Sequence, residues 1–355
     1  MNGEPARPAR PAPILSVREL RVAIPVAGAW RPAVDGVSFD LFPGEGLAVV
    51  GESGCGKSLL ARALLGLAPE GAEVTGSLRL RGRELCGAGE DGWSGVRGSD
   101  MSLVFQEPAA ALDPVLTFGA QLVEAIRLHA PVGRRAAAAL ARDRLAEVAF
   151  ADPDRVFAEH PHRLSGGERQ RAFIAIALAA DPAILVADEP TAALDVTVAA
   201  QVLELLDRLR RDRGLSLVLI THDMGIVAQR TDRTIVMYAG RVAEEAPTRD
   251  LFQTPRHPYA RGLLRSLPRL RESGPPGRRF EAIPGVVPDL SERRAGACAF
   301  APRCPERFAL CDRRAPDLYP AGGSLARCFL YAPEILAAAA ILTERGSSAD
   351  AVPAP

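Results

Sequence analysis

The stretch GESGCGKS, Gly51 to Ser58, leaves the surrounding chain little freedom of fold. It fits G-x-x-x-x-G-K-S/T through Gly51, Gly56, Lys57 and Ser58. It stands directly after the apolar run GLAVV and directly before the helical pattern SLLARALLGL. A strand, a glycine-rich loop and a helix in that order make a nest of backbone N–H groups for phosphate, and the helix N-terminus adds favourable partial charge. Gly51, Glu52, Ser53, Gly54, Cys55, Gly56, Lys57 and Ser58 are therefore the candidate nucleotide contacts, with the Ser58 hydroxyl available to Mg2+. Lys57 is also the only lysine in the chain, although Lys and Arg together number 43. A bias toward GC-rich codons accounts for arginine elsewhere. At position 57 a compact ammonium fits between β- and γ-phosphate oxygens, where a planar guanidinium is too wide.

The apolar pattern continues the same theme. Residues 14–50 read as strands, and SLLARALLGL as a helix with Leu59, Leu60, Leu64, Leu65 and Leu67 on its apolar face. TGSLRLRGREL and MSLVF return to strand, and Thr117 to Leu178 is helical with breaks at Pro131 and Pro153. ILVAD and SLVLIT are continuous apolar runs, as parallel strands covered on both faces require, and a helix lies between them. The rhythm is βαβ, hence an α/β core with a mostly helical insertion.

Net charge is +0, which gives no electrostatic reason to expect a nucleic-acid partner. MNGEPARPARPAP lacks an apolar core for a secretory signal and reads as a disordered tail over residues 1–13. No run reaches about 18 apolar residues; AFIAIALAA and ILAAAAIL are too short. Membrane association is expected to come through a partner. Six cysteines without an export signal point to thiol or metal chemistry rather than disulfides.

ILVADEP carries Asp188 and Glu189 to a strand's C-terminal end, where ligands of α/β sheets bind. Asp188 suits Mg2+ held through water, and Glu189 suits a general base for an attacking water. HPHRLSGGERQR, His160 to Arg171, is the most informative string. LSGGERQR resembles the signature motif of the ATP-binding cassette (ABC) ATPases. Gln106 in FQEP resembles that family's Q-loop, Asp195 in AALD its D-loop, and His222 in THD its switch histidine, all in family order from about Leu15 to Tyr259. The resemblance implies an α/β P-loop NTPase core with a β subdomain and a helical insertion, spanning 14–255 with the insertion at about 107–182. It also implies Gln106 as a further Mg2+ contact and His222 at the γ-phosphate. Ser165, Gly166 and Gly167 form a second N–H-rich cradle at a helix start. In the family this cradle closes on nucleotide bound by another subunit, so one loop and one signature per chain imply a dimer.

One position departs from the pattern. The family stacks adenine on an aromatic where this chain has Ile24, and stacking is worth about 1–3 kcal/mol. Trp30 either takes over that role or is a loop residue packed on the surface.

FQEPAAALDPVLTFGAQLVEA, HPH and RHPYARGLLRSLP resemble the ATPases of dipeptide, oligopeptide and nickel importers. That implies a peripheral subunit on the cytoplasmic face of the inner or plasma membrane. It implies a second homologous ATPase, favouring a heterodimer, and two transmembrane permease subunits. An extracytoplasmic solute-binding protein would act indirectly. Peptides are the expected cargo, with nickel or another small solute as the alternative. Residues 256–330, rich in Pro and Cys, read as a small C-terminal domain, and 331–355 as a helix and tail. Cys298, Cys304, Cys311 and Cys328 are spaced x5, x6 and x16, unlike the close pairs of zinc fingers. Four thiolates suit a 4Fe–4S cluster, which similar importer ATPases carry in this region; zinc and inert thiols remain open. Cys86 is incidental. Two rival classes fit less well. DNA-repair ABC ATPases carry a long coiled-coil insertion and translation members usually two cassettes, and neither feature is present. A sensor with a decayed cassette would not retain Lys57, Asp188, Glu189 and His222.

Overall fold

Strands form where the apolar runs fall. In this computed structural model, residues 11–107, 111–192, 194–267, 282–293 and 296–337 are described. The strands are β1 (Leu15–Val26), β2 (Ala29–Leu41), β3 (Gly46–Val50), β4 (Glu73–Leu80), β5 (Arg83–Glu84), β6 (Met101–Val104), β7 (Ile184–Asp188), β8 (Ser216–Ile220), β9 (Arg233–Tyr238), β10 (Arg241–Pro247), β11 (Tyr319–Ala321) and β12 (Ser324–Ala326). They make a four-stranded antiparallel sheet, β2-β1-β4-β5, and an eight-stranded sheet, β11-β12-β10-β9-β3-β8-β7-β6. The five strands from β9 to the edge strand β6 are parallel.

Every residue of β3, β7 and β8 is buried, and alternate residues serve opposite faces. Ile184 and Val186 of β7 join the core shared with the smaller sheet, while Leu185 and Ala187 join the core of the helical insertion.

The helices are α1 (Lys57–Leu64), α2 (Glu90–Trp93), α3 (Phe118–His129), α4 (Arg134–Glu147), α5 (Pro153–Ala158), α6 (Gly166–Ala177), α7 (Val196–Arg213), α8 (Met224–Arg230), α9 (Thr248–Gln253) and α10 (Pro258–Arg265). α1 is shorter than its leucine spacing suggests. Gly66 turns left-handed at φ +66°, and a Cβ there would lie 2.3 Å from the Trp93 ring, so the chain stops and Leu67 falls outside the helix. Pro153 starts α5 rather than merely breaking a helix, because Asp152 caps the first turn by accepting from Arg155 N–H at 3.0 Å.

The Cys- and Pro-rich segment continues the main sheet. β12 pairs with β10 through Glu244↔Ala326 and Glu245↔Leu325, and β11 closes a hairpin on β12. Tyr259 and Phe300 pack on Tyr238 of β9 with ring centroids 4.7 and 5.2 Å away. The start of the segment is tied down by Glu244, fully buried, whose carboxylate accepts from the N–H groups of Arg256 and His257 at 2.7–2.9 Å. A composition boundary near 255 therefore falls inside one continuous core. Of the expected tail over residues 1–13 only 11–13 are described, without regular structure, and of the expected C-terminal helix and tail over 331–355 only 331–337 are described, helical over 333–337. Among the described residues no helix is long and apolar enough to cross a membrane.

Candidate active site

Four parallel strands deliver the candidate residues from their C-terminal ends: β3 to the glycine-rich loop, β6 to Gln106, β7 to Asp188 and Glu189, and β8 to His222. Gly51 opens the loop at φ +153°, where a Cβ would sit 2.3 Å from Met237 O and 2.8 Å from Cys55 Sγ, so no side chain fits. Lys57 is only 5% exposed and folds back over the loop. Its Nζ donates to Gly51 O at 2.8 Å and Glu52 O at 3.1 Å, with Cys55 Sγ at 3.8 Å. The Cys55 side chain is buried under the loop and its thiol is pushed up by that burial. Any contact Cys55 makes to a ligand therefore goes through its backbone.

Ser58 Oγ donates to Asp188 Oδ1 at 3.1 Å, joining the two oxygen groups expected at Mg2+. Burial, reinforced by the neighbouring Glu189 charge, holds the Asp188 carboxyl above its ordinary value. The next residue turns sharply: Glu189 adopts φ +45°, unusual for a side chain that is not glycine. That turn presents its carboxylate to two partners. Gln106 Nε2 donates to Glu189 Oε2 at 3.3 Å, and His222 Nδ1 lies 3.4 Å from the same oxygen. A cavity of about 550 Å³ opens beside this group, lined by Ser58, Arg62, Phe105, Gln106, Glu107 and Asp188. Residues 33 to 130 positions apart thus meet in one oxygen-rich cluster able to hold a phosphate chain, a divalent cation and a water.

The signature segment stands apart from this cluster. Ser165 caps α6 by accepting from Glu168 N–H at 3.3 Å, and Glu168 returns a bond to Ser165 N–H at 2.9 Å. Arg155 holds the far side of Glu168. Ser165 and Gly166 are exposed, and Gly167 lies against Val198 of α7. Among the described residues no hydrogen bond or ion pair joins Ser165–Gly167 to the Gly51–Ser58 loop. Asp195 caps α7 through Val198 N–H at 3.0 Å. Ile24 sits in the β1–β2 hairpin, and Trp30, opposite Pro25 near its tip, is 55% exposed.

All six cysteines are free. Cys298 N–H donates to Cys311 O at 2.9 Å, and burial raises the Cys298, Cys304 and Cys328 thiols, Cys304 to about 11 and Cys328 to about 12. The other three cysteines add to the rise at Cys328. Among the described residues no three His, Cys, Asp or Glu side chains converge on a single metal-ion position.

Sequence reasoning missed three residues that touch the phosphate loop: Tyr259, Arg293 and Arg303. Glu52 N–H donates to Tyr259 OH at 2.9 Å, Arg293 donates to Gly54 O at 3.1 Å, and Arg303 pairs with the Glu52 carboxylate. All lie more than 200 positions downstream, beyond any local pattern.

Comparison with known proteins gives a consistent outcome. Residues 34–192 match the family described as ABC transporter, and residues 243–311 the one described as oligopeptide/dipeptide transporter, C-terminal region. The dipeptide transport ATP-binding protein DppD of Bacillus subtilis is 46% identical over 85% of this chain and 90% of its own length. A putative peptide import ATP-binding protein of Brucella melitensis is 45% identical over 89% and 95%. The oligopeptide transport ATP-binding protein OppD of Mycobacterium tuberculosis is 48% identical over 86% of this chain, which spans only 50% of that longer protein. Among solved structures, the dimeric bacterial ABC transporter cassette MJ0796 superposes with a TM-score of 0.59 at 25% identity, over 66% of this chain and 98% of its own.

Proposed function

This chain belongs to the ABC transporter family, in the branch of peptide-import ATP-binding proteins, and we propose that it hydrolyses MgATP at a dimer interface to drive peptide uptake through two transmembrane permease subunits. The observation that carries the reading is the convergence of Gln106 and His222 on one oxygen of Glu189, beside the Ser58–Asp188 pair. In this reading the Gly51–Ser58 loop and Lys57 hold the phosphates, while Ser58, Asp188 and Gln106 would hold Mg2+, which would supply neutralisation of phosphate charge. Glu189 accepts a proton from the attacking water, and His222 fixes the position of Glu189 and contacts the γ-phosphate. Positioning and charge stabilisation supply most of the rate in such transfers, which suits a cluster built from preset side chains.

The exposed Ser165–Gly167 cradle and Asp195 serve the partner's nucleotide, giving two composite sites. A second homologous ATPase is the favoured partner. The chain docks on the cytoplasmic face of the membrane, and a solute-binding protein outside delivers the peptide. Trp30, exposed beside Ile24, takes the adenine.

The Glu189→Gln chain tests the reading. General-base catalysis contributes about 10²- to 10⁴-fold, so turnover should fall by at least about 100-fold while MgATP binding is kept. Unchanged turnover would remove Glu189 from the mechanism.

Four free thiols in one small module also support a 4Fe–4S cluster on Cys298, Cys304, Cys311 and Cys328. Burial keeps the thiols protonated unless a cation replaces the protons. Iron and acid-labile sulfide measured after anaerobic purification test this assignment; a colourless protein with one zinc overturns it.

A further inference from the structure

Glu52 is held at three points. Its carbonyl accepts from Lys57, its N–H donates to the buried Tyr259 hydroxyl, and its carboxylate meets Arg303. The last is a two-point pair, with Nη1 donating to Oε2 at 2.6 Å and Nη2 to Oε1 at 3.0 Å. Arg303 is only 7% exposed. Its remaining donor capacity goes to Pro284 O at 2.8 Å, Gly285 O at 3.2 Å, Ile283 O at 3.4 Å and the Tyr238 hydroxyl at 3.5 Å. The guanidinium is thus fixed by the C-terminal segment before it reaches Glu52. Its planar fork matches a carboxylate in a way that an ammonium does not.

A carboxylate one residue into a phosphate loop needs explanation. It places a negative charge beside the site meant for a polyanion, and it is 31% exposed on its side chain. Unpaired, it would repel the phosphates and leave the first turn of the loop free to shift. Paired, it becomes an anchor.

We propose that Arg303 is a positioning residue for nucleotide binding: with Tyr259 it pins Glu52 and cancels its charge, so the C-terminal module is a working part of the ATP site. The proposal rests on reading Gly51–Ser58 as the ATP loop. It gives the module a role independent of what its cysteines bind, and it adds Arg303 and Tyr259 to the residues that set ATP affinity.

The test uses the full chain, with MgATP turnover and MgADP binding measured together. Arg303→Met should weaken nucleotide affinity about tenfold, equivalent to about 1.4 kcal/mol, and raise KM for ATP with little change in kcat. Adding Glu52→Gln to the same chain should restore most of the affinity, because no unpaired charge remains. Arg303→Lys should fall between. Salt supplies a readout that mere loss of packing would not move: the Arg303→Met deficit should shrink as ionic strength rises, since repulsion by an exposed carboxylate is screened. Unchanged affinity in Arg303→Met overturns the proposal. So does a double variant as weak as the single one, or a deficit insensitive to salt. If Arg303→Met fails to fold, the charge-balanced double variant decides: near-normal affinity upholds charge cancellation, and a tenfold loss overturns it. The reading of the site fails separately, when the unaltered chain shows no turnover that depends on Lys57 and Glu189.

Discussion

Lys57→Arg keeps the charge and changes only its shape, which makes it the sharpest test of the phosphate loop. In the structure Nζ is enclosed, with Gly51 O at 2.8 Å, Glu52 O at 3.1 Å and Cys55 Sγ at 3.8 Å. A guanidinium placed there is larger than the space, and overpacking costs about 1–3 kcal/mol. One kcal/mol moves Tm by about 2–4 °C in a chain of 150–250 residues, and by less in a longer one. The variant should therefore lose several degrees and remain folded. Turnover is far more sensitive. Removing one preorganised donor from developing charge costs about 10²- to 10³-fold, and a displacement of about 1 Å costs about 10². The expected result is a loss of at least about 100-fold in phosphate release at saturating MgATP, with a modest fall in Tm. Lys57→Met should match that loss and also forfeit the upward Tm shift that MgATP gives the unaltered chain, a shift worth about 2.7 kcal/mol at a hundred times Kd. If Lys57→Arg turns over within about threefold of normal, far less than a misplaced donor costs, the loop does not select ammonium over guanidinium. The sole lysine is then an accident of codon usage.

Two further outcomes follow from the geometry. The folded chain holds the Asp188 proton more tightly than the unfolded chain does, mainly through burial. Its contribution therefore favours folding in acid and is lost as pH rises through the raised value. Asp188→Asn should melt at or above the unaltered chain at neutral pH without nucleotide, with the gap narrowing toward pH 4, near the ordinary carboxyl value of about 3.9. It should also lose the Mg2+-dependent part of the MgATP shift; melting curves across that range check both. Ser165→Ala removes the α6 cap and should cost about 1 kcal/mol of stability but more than tenfold in turnover. Ser165→Asn should restore the stability and not the turnover, which separates the cap from the cradle.

The parallel strands were legible because burial on both faces writes itself as unbroken apolar runs, and ILVAD and SLVLIT show this clearly. The loop was legible because its glycines, lysine and serine are adjacent in sequence. Leu67 was misread because leucine spacing carries no information about where a helix stops; Gly66 and the Trp93 ring behind it decide that. The sheet extension by β11 and β12 was hidden by composition, since prolines and cysteines signal a separate module while two three-residue strands carry almost no period. Arg303 was invisible among dozens of arginines. Only the fold distinguishes the one whose donors meet a single carboxylate, three carbonyls and a tyrosine hydroxyl.

The 251-residue gap between Glu52 and Arg303 also sets an order of events on the ribosome. At about 5–20 residues per second, the loop emerges roughly 10–50 s before its brace. Through that interval Glu52 carries an uncancelled charge, and a nascent chain has a weak hold on nucleotide. With affinity about tenfold lower, ATP then stabilises a chain that ends before Arg303 by about 1.4 kcal/mol less than one synthesised past it.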